Sequence, residues 1–238
     1  MKYYRLLTQL PALPDTPGRP PVSLDEAIDV FQEDLAEKDW ELAEEILRWL
    51  DCENLESKIQ GREIFNEKAP LSREQLDDRR ELPVFMADFL DLEESGALSG
   101  PYAVDELWRY YHLHLLEISR THGCSMLGEW AFWEAGLRNA FARSRAQEMG
   151  VDLEGRLFEE SEDEMMYSEM VVWASEASDP LEKERLIDQN RLAKLNELAG
   201  INPFSREAAL CYLLSLIILD RWDLPVEVDT KQLLEVFS

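Results

Sequence analysis

Histidine and cysteine are the residue types in this chain best suited to bind a metal ion or to act as a nucleophile. The histidines are His112, His114 and His122, and Cys124 lies two residues after the last of them. Residues two positions apart on a helix point about 200° away from each other, so His112 and His114 cannot hold one ion together. A zinc site at His122 and Cys124 would need a second close pair of ligands, which the neighbouring sequence does not offer.

The sequence patterns of common catalytic sites are also missing. The chain contains no P-loop lysine pattern, no GxGxxG, no GxSxG and no Glu-x-x-His pair of the kind that binds two iron ions. An acidic run at residues 159–164 lacks the glycine-punctuated alternation of a calcium-binding loop and is typical of a solvated surface. We therefore expect no catalytic residue, no cofactor, no metal and no enzymatic activity.

The most informative segment is residues 129–147, EWAFWEAGLRNAFARSRAQ. At about 100° per residue, one helical face carries tryptophans and leucine, and the adjacent face carries Gly136, Asn139, Ala140 and Arg143. The two small residues permit close approach of a neighbouring backbone, and the two polar ones need partners when buried. We interpret these four residues as a polar lock between helices. The alternative is ordinary aromatic core, with arginines paired to the chain's own acids.

The other two arginines of this segment, Arg138 and Arg145, are predicted to point away from the polar lock, nearer Glu134. They are candidates for contacts with a partner or for surface ion pairs. We therefore expect Arg143→Ala to destabilise the fold by about 2 to 4 kcal/mol, and Arg138→Ala or Arg145→Ala by under about 1 kcal/mol.

The charge of the chain restricts its partners. It has 50 acidic and 24 basic residues and a net charge of -26, so nucleic acids and anionic bilayers would be repelled. Basic or neutral proteins are favoured. Three widely spaced cysteines fit a reducing cytoplasm, and no apolar run is long enough to insert directly into a membrane.

Helix start signals recur along the chain. Ser23 with Glu26, and Ser72 with Gln75, have the spacing of capping boxes, while Asp179 followed by Pro180 marks another start. A final helix capped by Ser205 is apolar nearly all round, so it should be central.

These signals predict an all-α fold, a multi-helix array of packed helices with short loops. At most one short N-terminal strand is expected, at residues 3–7, with 226–228 as the other possible strand. The chain is expected to form a single helical unit over residues 1–238. A division into an N-terminal subdomain, 1–95, and a C-terminal one, 101–238, is left open.

Three segments carry a family resemblance: the opening MKYYRLLTQLPAL, the middle FWEAGLRNAFARSRAQEMGVD, and the later DPLEKERLIDQNRLAKLNEL with the apolar helix that follows. They resemble a family of bacterial proteins of formerly unknown function, which is similar to the C subunit of V/A-type rotary ATPases. The C subunit itself is longer and has three related helical units, so this chain is shorter by roughly one unit, taken as about 100 residues.

The resemblance implies a non-catalytic, all-helical subunit that joins the central stalk to the membrane rotor ring. Its partners would be other subunits of the V/A-type ATPase, and it would lie in the cytoplasm, peripheral to the inner membrane through the complex. The alternative is an acidic helical chaperone or adaptor that binds basic leader peptides. These two functions predict different partners. A subunit that receives the stalk, which we call a socket, binds preformed helices through large fixed interfaces, whereas a chaperone binds an extended peptide reversibly.

Overall fold

A computed structural model describes residues 3–96, 103–150, 157–158, 164–177 and 179–223. Within these ranges the chain forms ten α-helices and no strand, which confirms the all-α prediction. In chain order they are α1 (Tyr4–Gln9), α2 (Leu24–Asp34), α3 (Glu37–Ile59), α4 (Arg73–Asp77), α5 (Val84–Glu94), α6 (Ala103–His122), α7 (Ser125–Met149), α8 (Glu164–Glu176), α9 (Pro180–Leu198) and α10 (Arg206–Asp220). None of the described helices is both long and apolar enough to cross a bilayer.

The predicted capping signals are present. Ser23 and Glu26 form a complete capping box at α2, as do Ser72 and Gln75 at α4. Asp179 accepts a hydrogen bond from the Glu182 N–H at the start of α9. Each of these side chains satisfies N–H groups that the helix itself leaves without partners, so local sequence is sufficient to fix these helix starts.

The chain divides into two compact units, and the division is not the sequential one at residues 95–101. Unit 1 consists of residues 1–40 and 163–238, and unit 2 of residues 41–162. The N-terminal residues therefore group with the C-terminal helices. Sequence patterns could not show this, because helical periodicity predicts which face of a helix is buried and not which helix covers it.

Unit 1 is organised around α10. Nine of its residues are buried, α9 and α2 pack against it, and α8 packs on α9. The central position predicted for this helix is confirmed. Ser205 caps it by accepting a hydrogen bond from the Ala208 N–H.

The N-terminal segment of unit 1 is a helix and not a strand. Tyr3, Leu6 and Leu10 are buried, and their spacing of three and four residues is helical, a signal that the strand expectation for residues 3–7 overlooked. The Tyr3 hydroxyl donates a hydrogen bond to buried Asp39, and its N–H donates to the Phe204 carbonyl at 3.2 Å. Residues 226–228 lie outside the described residues.

Unit 2 contains α4 to α7 and most of α3. Helix α6 packs along α7 and on α5, and α3 meets α6 through the rings of Trp49 and Trp108, whose centroids are 4.9 Å apart. Cys52 and Cys124 of this unit are buried free thiols, as is Cys211 of unit 1.

Candidate interaction site

Helix α7 carries all the site residues that the sequence predicts. It ends at Gly150, whose φ of 66° is left-handed and whose N–H donates to the carbonyls of Ala146 and Gln147.

Near its start, α7 approaches α6 closely at Gly128. An added Cβ there would lie 2.6 Å from the Ser119 Oγ and 3.3 Å from its Cβ. The two helices therefore leave no room for a side chain at Gly128.

Substitution of Gly128 tests the close contact between α6 and α7. The Ser119 hydroxyl donates to the Cys124 carbonyl at 2.8 Å, so it cannot move aside without losing that bond. We expect Gly128→Ala to lower the free energy of unfolding by about 1 to 2 kcal/mol, because overpacking outweighs the helix propensity gained. Urea unfolding would measure the loss. Gly18→Ala is the matched control, since its Cβ would have only the Thr16 carbonyl within 4 Å, at 4.0 Å. An equally stable Gly128→Ala variant would contradict the tight contact.

An aromatic cluster supports the apolar face of α7. The rings of Trp108, Tyr111 and Trp130 have centroids 4.9 to 6.4 Å from that of Trp49, and Trp130 stacks on Trp133 at 5.6 Å. Trp49 and Trp108 donate their indole N–H groups to glutamates of α3, Glu53 at 2.9 Å and Glu56 at 2.7 Å. These contacts agree with the alternative interpretation of residues 129–147, in which the aromatic side chains belong to the ordinary hydrophobic core.

Arg138 is part of this cluster. Its guanidinium lies 3.9 Å from the centroid of the Trp108 ring, and its Nε donates to Glu134 at 3.1 Å. The Glu134 side chain is 0% exposed and that of Arg138 is 24% exposed. The sequence places Arg138 near Glu134 but gives no sign of its packing against tryptophan. That packing, together with the pairing to a fully buried carboxylate, favours a larger energetic cost for the removal of Arg138 than the sequence predicts.

Asn139 joins α7 to the chain that follows it. Its side-chain N–H donates to the Phe158 carbonyl at 2.9 Å, and its carbonyl accepts the Phe158 N–H at 3.1 Å. The Phe158 ring is buried and meets Phe132 of α7 edge-on at 6.3 Å. Asn139 therefore locks α7 to a later segment, whereas the sequence predicts a lock to another helix.

The remaining members of the predicted polar lock lie on the same side of α7. Gly136 is buried, and Ala140 and Arg143 are half-buried. Arg145, the second candidate for a partner contact, is bound within unit 2, where one guanidinium nitrogen is 2.8 Å from each carboxylate oxygen of Asp105. Its side chain is 48% exposed, so this pair is a surface one.

A second asparagine of unit 2 repeats the device used by Asn139. Asn54 of α3 donates to the Asn66 carbonyl at 3.0 Å and accepts the Asn66 N–H at 2.6 Å. One turn earlier, buried Asp51 accepts the Leu71 N–H at 2.9 Å and an Arg48 N–H at 2.8 Å. Burial raises the pKa of Asp51, and these two bonds partly oppose the rise. These side chains give polar partners to the irregular chain after α3.

Sequence reasoning missed a buried ionic cluster in unit 1. The Asp188 carboxylate of α9 is 0% exposed and lies 2.8 Å from Arg191 and 3.3 Å from Arg221. The indole N–H of Trp222 donates to it at 2.8 Å. The i, i+3 spacing of Asp188 and Arg191 could have indicated the first pair. No local pattern connects them to residues that follow α10.

The described residues contain no group of three or more histidine, cysteine, aspartate or glutamate side chains that could hold a metal ion. His114 lies 2.7 Å from Glu45 and stacks on Phe85, and His122 lies 3.7 Å from Glu41. His112 lies against the rings of Trp108 and Tyr111, with centroids 6.2 and 5.5 Å away, so the three histidines contact separate partners.

Comparison with known proteins gives a match to part of the chain. Residues 154–237 match the model of a family described as a protein of unknown function, DUF2764. The matched residues include α8, α9 and α10, and with them the Asp188 cluster. No curated protein and no solved structure matches the chain.

Proposed function

We propose that the chain is a non-catalytic component of a V/A-type rotary ATPase, a socket like the C subunit that links the central stalk to the membrane rotor ring. The observation that carries the proposal is the resemblance of three segments, which lie at the N-terminus, in α7 and in α9. The family match at residues 154–237 concerns proteins of unknown function and adds no activity of its own.

The contacts made by the resembling segments suit a part that transmits force. Each segment places a polar side chain in a buried internal bond: Tyr3 to Asp39, Asn139 to Phe158, and Asp188 to Arg191. Fully paired buried polar groups fix a single geometry, because any displacement leaves them unsatisfied in a low-dielectric interior. A socket that passes torque between a stalk and a ring needs such resistance to deformation.

In this role the chain works by holding its partners and performs no bond chemistry. ATP is hydrolysed or synthesised elsewhere in the complex. The net charge of -26 would speed encounter with basic surfaces of stalk and ring subunits and would keep the chain from binding anionic lipid directly. Its place would be cytoplasmic, held at the inner membrane through the complex.

Affinity purification from the cell that produces the protein tests the proposal. The tagged chain is expressed at its native level, membranes are solubilised in a mild detergent, and co-purified proteins are identified by mass spectrometry. We expect stalk and ring subunits in fixed ratio to the chain. An unrelated acidic helical protein with the same tag is the control. Recovery of proteins with basic leader peptides, without any stalk or ring subunit, would replace the proposal with the chaperone alternative.

A further inference from the structure

Helix α8 leaves an apolar pair exposed in unit 1. The helix packs on α9, and its buried residues include Tyr167 and Ala174. Val172 and Trp173 lie outside this contact, with 51% and 53% of their surfaces exposed. Trp173 is the largest of the exposed hydrophobic side chains among the described residues. Tryptophan is the residue type most enriched where partners bind, so this pair marks a surface that a partner would cover.

The apolar pair is flanked by negative charge. Glu169 lies one turn before Trp173 and Glu176 three residues after it, and both are exposed. The segment 164–176 contains no lysine or arginine. Glu176 also lies in the last turn of α8, where the helix dipole is negative and a basic side chain is the stabilising choice. The carboxylate therefore adds to the negative potential at this end of the helix.

We propose that Glu169, Val172, Trp173 and Glu176 form a docking surface for an amphipathic helix of a partner protein whose apolar seam is flanked by lysine or arginine. The spacing of these residues is i, i+3, i+4 and i+7, which places them in one stripe along α8. An apolar seam on the partner would cover Val172 and Trp173, and its basic flanks would pair with the two glutamates.

A second copy of the chain does not fit this surface. In a symmetric dimer the same patch meets itself, which would bring the glutamates of one copy against those of the other. Like charges at an interface core oppose association, whereas a basic partner helix gains at both ends of the stripe. The inference rests on the proposed function only in taking the partner to be a protein. Its test uses peptides in place of ATPase subunits, so either proposal can fail without the other.

Binding of two synthetic peptides tests the surface. Both are amphipathic helices of about three heptads with leucine along the seam. One has lysine at the flanking positions and the other has glutamate. Fluorescence anisotropy of the labelled peptides with the full chain should show binding of the lysine peptide, weaker as salt rises, and much weaker binding of the glutamate peptide.

Variants then assign the binding to α8. Trp173→Ala should weaken the lysine peptide about 30-fold, the loss typical of a truncated tryptophan at the centre of an interface. Glu169→Gln with Glu176→Gln should flatten the salt dependence. Val172→Ser changes the other apolar residue of the docking surface and should also weaken binding of the lysine peptide. The matched control is Val84→Ser in α5, an exposed apolar residue of unit 2 that should leave binding unchanged. Circular dichroism and thermal melts confirm that each variant is folded.

Three results would overturn the inference. The first is equal binding of the lysine peptide by the wild-type chain and by Trp173→Ala. The second is equally tight binding of the glutamate peptide. The third is a wild-type dimer in sedimentation experiments that Trp173→Ala converts to monomer, because the covering surface would then be a second copy.

Discussion

Replacement of Asp188 by alanine should lower the free energy of unfolding by about 3 to 5 kcal/mol. The carboxylate is fully buried and accepts hydrogen bonds from Arg191 and Trp222, each at 2.8 Å, with Arg221 at 3.3 Å. Its removal takes the anionic partner away from the buried guanidinium of Arg191. The cost of leaving a charge without its buried partner exceeds the cost of losing an ordinary hydrogen bond.

Denaturant unfolding followed by circular dichroism measures this loss. Glu197→Ala is the matched control, since Glu197 lies on the same helix and pairs with Lys194 at 2.9 Å while its side chain is 69% exposed. It should cost under about 1 kcal/mol. Asp188→Asn keeps a hydrogen-bond acceptor and should fall between the two. Similar losses for Asp188→Ala and Glu197→Ala would show that the buried cluster contributes no more than a surface pair.

Arg138→Ala should lower the free energy of unfolding by about 2 to 4 kcal/mol, in contrast to the small loss expected from sequence. The substitution leaves the fully buried Glu134 carboxylate without the guanidinium 3.1 Å away. It also removes the guanidinium from the Trp108 face, an interaction worth about 1 to 2 kcal/mol when partly desolvated. Arg138→Lys retains the charge but not the flat stacking group, so we expect an intermediate loss.

Thermal melts of four variants of α7 test this order: Arg138→Ala, Arg138→Lys, Arg143→Ala and Arg145→Ala. Arg145→Ala is the control and should cost under about 1 kcal/mol, because its pair with Asp105 is at the surface. Arg143→Ala distinguishes the two interpretations of α7, the polar lock that includes Arg143 and the aromatic core that includes Arg138. A larger loss at Arg143 than at Arg138 would favour the polar lock over the aromatic core as the account of α7.

Helix boundaries were predictable because their signals are local. The capping residues at Ser23, Ser72, Asp179 and Ser205, and the end of α7 at Gly150, depend on neighbours within a few residues. Periodicity does not single out one buried face of α7, because all of residues 130–139 except Phe132 and Arg138 are buried, on every side of the helix.

Polar partners distant in sequence could not be predicted in the same way. Arg138 and Arg143 both follow a helical pattern and both are half-buried, and only the position of Trp108 on a different helix places the Arg138 guanidinium over a tryptophan ring. Asn139 was correctly expected to need a partner, but its partner is the backbone of Phe158, and a backbone group carries no side-chain signal. Asp188 is separated from Arg221 by 33 residues and from Trp222 by 34.

The division of the chain into its two units has a consequence for biosynthesis. Unit 2 consists of one continuous stretch, residues 41–162, so it can fold as soon as that stretch has emerged from the ribosome. Unit 1 cannot, because residues 1–40 contact helices that begin after residue 163. Residues 41–162 form the loop between the two parts of unit 1, and closing such a long loop delays the contacts between those parts. While unit 2 is being translated, residues such as Leu6, Leu24 and Phe31 therefore lack the C-terminal helices of unit 1 that complete their burial, which leaves their apolar side chains open to non-native contacts.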